Sequence, residues 1–179
     1  MLTSERKHGW VAMMRDHNAT TTMECWSPDE LPNLSFSHIW SASPTFVVPW
    51  YLAGVRPLSP GWARLRIKPQ PGALASFALS MPTVKGAVRV NVTQRHGKGS
   101  GVGPPAGSAL SHFRLEATLP GNVVAELYAP RPPGDSTAMP ACLLLNGERT
   151  RGRPSARGAH LYVEAGPGGS HVLEWCAAA

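Results

Sequence analysis

"GAVRVNVTQ", residues 86–94, decides the fold: Val88, Val90 and Val92 fall on alternate positions, with Arg89 and Asn91 between them. A period of two is what a strand needs when one face lies on a core and the other in water. "ARLRIKPQ", residues 63–70, repeats the pattern, with Leu65 and Ile67 on one side and arginines on the other. Working outward, "SFALSMP", "HFRLEATLP", "NVVAELYAP", "ACLLLNG", "HLYVEA" and "SHVLEWC" bring the count to about eight short strands separated by Gly/Pro turns. Strands at such near-regular spacing predict an antiparallel β-sandwich, and the chain is expected to be mainly β. "RHGKGSGVGPPAGSA", residues 95–109, is a Gly/Ser/Pro insert that reads as a flexible hairpin loop.

The 179 residues suit one ordinary domain, or a small domain plus a piece of another. With 42% hydrophobic and 16% charged residues the chain is too apolar for a disordered protein, and 18 glycines with 18 prolines favour turns and short strands. The formal charge of +6 invites an acidic partner, but Arg and Lys are scattered along the sequence and read as a solvated basic surface. Cys25, Cys142 and Cys176 are odd in number and widely spaced, so neither a disulfide framework nor a zinc site is expected. No metal and no cofactor are implied. No apolar run approaches the roughly 18 residues of a membrane span, and no membrane partner is expected; the compartment is left open.

Residues 1–57 follow a different grammar. Trp10, Val11, Met13 and Met14 suggest a short helix beginning near Thr3 and Ser4. A second helix is expected where Ser43 can cap, Pro44 suits the first turn and Gly54 makes a stop, with Pro49 kinking it. Phe46, Val47, Trp50 and Tyr51 would then share one apolar face.

The segment "TTTMECWSPDELPNLSFSHIW", residues 20–40, carries Glu24 and His38 and leads through "GVRPLSPGW" and "RIKPQPG" into the strands. In that order, and on through "GAVRVNV", "FRLEATLPGNVVAELYAP" and "GSHVLEW", these motifs resemble the end of the catalytic barrel and the C-terminal domain of bacterial-type α-L-rhamnosidases. The resemblance implies that residues 1–57 are the last helices and active-site loop of an (α/α)6 barrel, and residues 58–176 the C-terminal β-sandwich. It implies an inverting hydrolysis of terminal α-L-rhamnose, with a rhamnose-containing glycan or glycoside as substrate and the remainder of the barrel as partner. Glu24 matches the general base, His38 a ligand of sugar hydroxyls, and Trp26 an aromatic that packs on the sugar. Many family members carry Trp directly before this glutamate, where this chain has Met23.

An inverting glycosidase needs two carboxyl groups about 6.5–9.5 Å apart, one as acid and one as base to a water on the opposite face of the sugar. By the resemblance the general acid belongs to earlier barrel segments, and Asp16, Asp29 and Glu30 are not credible replacements for it. The chain is therefore expected to carry half of a catalytic pair and to be inactive alone. Two rival readings remain. The sandwich could be a stand-alone carbohydrate- or protein-binding module, although Trp62, Tyr128, Tyr162 and Trp175 are far apart in sequence and suggest no aromatic platform. "RTRGRPSARG", residues 149–158, contains Arg151-Gly152-Arg153-Pro154, which resembles an AT-hook core for A·T-rich DNA, but between two strands it reads as a plain loop, and nucleic acid is not the favoured partner.

Overall fold

In a computed structural model, residues 6–97, 110–131 and 142–176 are described, and within them the chain divides into two units, 1–48 and 49–179. The 95–109 insert lies almost wholly outside the described residues. The first unit contains α1 (Trp10–His17), a 3-10 turn (Ile39–Ala42) and α2 (Pro44–Val47). Helix α1 starts seven residues later than the Thr3 expectation, after Gly9, and ends where Asn18 turns left-handed (φ 50°) and donates its N–H to the Met13 carbonyl. Its core side is Ala12 and Met13.

Pro44 takes the first turn of α2 as expected, but Ser43 does not cap it. The preceding 3-10 turn runs straight into the helix, so Ser43 is itself helical (φ −52°, ψ −29°) and its hydroxyl makes no capping bond. Pro49 falls in a wide π-turn, Val48–Leu52, which absorbs the missing N–H without a break. Of the expected apolar face, Phe46, Trp50 and Tyr51 are exposed.

The second unit is built of β1 (Val55–Pro57), β2 (Arg64–Ile67), β3 (Ser76–Thr83), β4 (Gly86–His96), β5 (Leu110–Leu119), β6 (Val124–Pro130), β7 (Leu143–Leu145), β8 (Glu148–Thr150), β9 (Arg153–Pro154), β10 (His160–Ala165) and β11 (Gly169–Trp175). They form a five-stranded sheet ordered β1-β2-β6-β10-β9 and a six-stranded sheet ordered β3-β4-β5-β11-β7-β8. The mainly β, sandwich-like architecture is as the alternation indicates. Two details differ. Eleven strands are present among the described residues, because β1, β8 and β9, of two or three residues each, are too short to show a period. The β2–β6 pair is parallel, Arg64 opposite Val124 and Ile67 opposite Leu127, so the first sheet is mixed. Strand β1 already pairs with β2, Val55 opposite Ile67, which takes residues before 57 into the sheet.

One core lies between the sheets. Val55, Leu65, Ile67, Ala125 and Leu127 come from the first, and Val88, Val90, Val92, Phe113, Leu115, Leu143 and Leu173 from the second; all are buried. The alternating valines of residues 88–92 thus all point inward, as their period requires. Gly54 sets the entry to β1: its φ is +69°, and a Cβ there would stand 1.8 Å from the Lys68 carbonyl oxygen. Only glycine allows the two backbones to approach closely enough for the Lys68 N–H to reach the Gly54 carbonyl at 3.1 Å.

The cysteines correct the sequence reading. Cys142 and Cys176 form a disulfide, with Cα atoms 5.4 Å apart, where β7 begins beside the end of β11. Trp175 pairs with Leu143, so the next residues meet by register, which sequence spacing does not reveal. Closing a loop of separation 34 stabilises by roughly 3–4 kcal/mol in the chain-entropy account. Cys142→Ser is therefore expected to lower unfolding free energy by about 2–4 kcal/mol in urea titrations, and a reductant to do the same to the parent chain but nothing to the variant.

On the outer face of the five-stranded sheet Tyr128 and Tyr162 sit directly opposite and stack, ring centroids 5.0 Å apart at 22°. Residues 34 positions apart in sequence are thus neighbours, against the expectation of dispersed aromatics. Burial, with the hydrogen bond to Glu126, pushes the Tyr128 phenol up to about 12. Because the folded value is raised, its stabilising contribution is complete below the ordinary tyrosine range and fades as pH rises towards 12. Absorbance at 295 nm is expected to show one late phenolate transition near 12 that Tyr128→Phe removes.

Candidate active site

The first unit brings Glu24 and His38 together by a backbone clamp. The Glu24 N–H donates to the Ser35 carbonyl (2.9 Å) and the His38 N–H to the Thr22 carbonyl (2.8 Å), so segments 22–24 and 35–38 run side by side. The hydroxyls of Thr22 and Thr21 tighten the pair by donating to the carbonyls of His38 and Phe36. This gives the Thr-Thr run a structural reason: the side chains tie the two arms of an irregular loop that makes no regular ladder.

Glu24 Oε2 accepts the Ser35 N–H at 3.0 Å and lies 3.8 Å from His38 Nδ1. Its side chain is 21% exposed and that of His38 27%, so both are half-sheltered but open on one side. The Ser35 amide holds one carboxylate oxygen and fixes the rotamer, while no described residue is recorded on Oε1. A carboxylate held by one oxygen and open at the other is suited to take a proton from water.

Met23, which directly precedes Glu24, is almost fully buried. Trp26 is half-buried, its ring meeting Trp10 edge-on at 5.3 Å and 80°. Trp10 in turn donates its indole N–H to the Ser41 carbonyl at 2.9 Å. Trp40 is 65% exposed. It stacks on His38 with centroids 4.1 Å apart and donates its indole N–H to the Glu24 carbonyl at 3.1 Å. Its position two residues beyond His38 could have been noted, but nothing in the spacing signals exposure.

The other acids among the described residues of this unit have partners of their own. The Arg15 guanidinium hydrogen-bonded to Asp16 holds that carboxyl below its usual range, which disfavours the protonated form an acid catalyst needs. The Asp29 carboxylate accepts the Ser27 hydroxyl at 3.4 Å, and Glu30 lies 3.9 Å from His8. Burial, with Glu30 and Glu24 nearby, pushes the Cys25 thiol up, away from the nucleophilic thiolate.

The Arg151–Pro154 segment does not form the plain loop expected of it. Arg153 and Pro154 make edge strand β9, Arg153 opposite Tyr162, and a Cβ on Gly152 would meet Leu143 and Leu161 at 2.7 and 2.8 Å. An AT-hook core must lie extended and free in a minor groove; here the glycine is seated on the sandwich core.

The fold and this loop define a class: a β-sandwich preceded by helices, with a Glu–His pair on the helical side. Residues 54–101 match the family model described as bacterial alpha-L-rhamnosidase C-terminal domain, the family that the motifs of this stretch resemble. A search of curated proteins finds no significant match. Among solved structures, the alpha-L-rhamnosidase from Dictyoglumus thermophilum aligns over 97% of this chain and 18% of its own, at 20% identity and TM-score 0.71. The Streptomyces avermitilis alpha-L-rhamnosidase complexed with L-rhamnose aligns over 98% and 15%, at 24% identity and TM-score 0.67. The alpha-L-rhamnosidase from Aspergillus terreus aligns over 99% and 17%, at 22% identity and TM-score 0.61. The fold is thus shared with these enzymes, and the chain spans less than a fifth of the length of each.

Proposed function

We propose that this chain is the C-terminal part of an α-L-rhamnosidase-like glycoside hydrolase, in which residues 1 to about 57 complete an (α/α)6 barrel and the sandwich supports it. Glu24 serves as the general base of an inverting hydrolysis. His38 binds a sugar hydroxyl through its ring, and Trp26 contributes an aromatic wall to the pocket. The observation that carries the reading is the Glu24–His38 pair, 3.8 Å apart on a loop whose backbone is clamped at both arms.

In the proposed reaction water sits against the open Glu24 oxygen, on the face of the sugar opposite the departing glycosidic oxygen. Glu24 takes its proton as the C–O bond to the aglycone breaks, and a second carboxyl group protonates the leaving oxygen. That second group comes from the remainder of the barrel; Asp16 is paired with Arg15, the Asp29 carboxylate accepts the Ser27 hydroxyl, and Glu30 lies beside His8. The chain alone is therefore inactive. The test is release of nitrophenol from an α-L-rhamnoside by this chain as given and by the same chain joined to a complete barrel. Hydrolysis by the joined form only is the expected result, and turnover by the chain alone would overturn the half-site reading. A stand-alone binding module would show rhamnose binding by the isolated chain and no gain on joining.

A further inference from the structure

The outer face of the five-stranded sheet gathers basic groups that the sequence scatters. Arg66 and Lys68 point outward where Leu65 and Ile67 point in, and Arg153 arrives on the edge strand opposite Tyr162. The Lys68 ammonium lies 5.6 Å from the centre of the Tyr128 ring, and Tyr128 stacks on Tyr162, so a row of Lys68, Tyr128, Tyr162 and Arg153 crosses the sheet. His160 sits two residues before Tyr162 on β10, opposite Pro130, and its Nδ1 is buried without a hydrogen-bond partner.

The acids of the face are already engaged. Glu126 accepts the Tyr128 hydroxyl at 2.8 Å, and Glu164 pairs with Arg64 at 2.6 Å. No carboxylate among the described residues is recorded in a salt bridge with Lys68, Arg66, Arg153 or Arg157. Consistent with that crowding, burial and the positive charges of Arg66 and Arg157 hold the Lys68 ammonium below its usual range, and burial and Lys68 do the same to His160. Arg64, Arg66, Lys68 and Arg153 outnumber the two carboxylates of this face, Glu126 and Glu164, so the cations beside the stacked tyrosine pair keep a net positive charge that an anion can balance.

We propose that this face binds an acidic saccharide, Lys68 and Arg153 meeting the sugar carboxylate and the tyrosine pair packing beside the ring. The charge selects an anion. The aromatic pair selects one attached to a carbon ring with C–H groups, since a bare inorganic anion would use the cations alone. None of this depends on the role of Glu24, which lies in the other unit.

The test is calorimetric titration of the full chain with tri-galacturonate, with maltotriose, inorganic phosphate and a thymidine 12-mer as separate ligands. Tri-galacturonate is expected to bind and maltotriose not to. Lys68→Gln is expected to weaken binding about tenfold, the loss of one charge-assisted contact, with Lys68→Arg retaining most of it. Tyr162→Ala is expected to weaken it about fivefold, with Arg153→Gln as a second charge variant should Lys68→Gln not fold. Absence of tri-galacturonate binding, equal binding by Lys68→Gln and Arg153→Gln, or phosphate or the thymidine 12-mer binding as tightly would overturn the proposal.

Discussion

Phe113→Ala is expected to cost about 3–5 kcal/mol of unfolding free energy, the range for truncating a buried aromatic and leaving a cavity behind. Phe113 is the largest fully buried side chain of the sandwich. Its strand β5 lies between β4 and β11 in the six-stranded sheet, so the backbone is held on both sides and cannot collapse into the void. Its ring lies 6.3 Å from that of Trp175, whose indole N–H donates to the Pro130 carbonyl on the other sheet at 3.0 Å. Losing the phenyl ring therefore also loosens a residue that ties one sheet to the other. Denaturation in urea should show the loss as a lower midpoint with an unchanged slope, and a change below about 1 kcal/mol would mean that the core is not packed as described.

Glu24→Gln is the second large effect. In a form with a complete barrel it should lower turnover of an α-L-rhamnoside about 10²–10⁴-fold, the usual contribution of a positioned general base. Glutamine keeps the acceptor oxygen that the Ser35 N–H needs, so the loop clamp should survive and the thermal midpoint should stay near that of the parent. KM should change little, because the carboxylate acts on water rather than holding the sugar. His38→Ala should behave differently, raising KM more than it lowers kcat if its ring holds a hydroxyl.

The strands that were legible in the sequence are those long enough to show a period. In β4 and β5 the inward residues alternate along most of the strand, and nothing but a half-buried sheet asks for that. Strands of two or three residues, β1, β8 and β9, have no room to alternate. The parallel β2–β6 pair was not legible for another reason: their partnership joins segments some sixty residues apart, and local pattern carries no register over that distance. The Cys142–Cys176 bond and the Tyr128–Tyr162 stack were missed on the same ground, since both are products of register. In the first unit the mistake at Ser43 was local. Serine before proline is a good capping signature, but the 3-10 turn from Ile39 already supplied helical backbone and left nothing to cap.

Glu24 and His38 were legible only because the order of motifs across two segments resembled a family; either residue alone reads as an ordinary loop side chain. Trp40 shows the limit of that route. Its exposure and its contact with His38 come from how the 22–24 and 35–38 arms are clamped, a property of backbone hydrogen bonds that residue types do not announce.

The most direct test of Glu24 as the water-activating base is azide rescue of Glu24→Gln in the barrel-complete form. Azide is already an anion and needs no base to attack, so it can replace the deprotonated water when the carboxylate is gone. The account predicts that azide restores turnover of an activated α-L-rhamnoside and that the product is the β-L-rhamnosyl azide, formed by attack opposite the leaving group. Unimpaired hydrolysis by Glu24→Gln without azide, or an α-configured azide product, would contradict it.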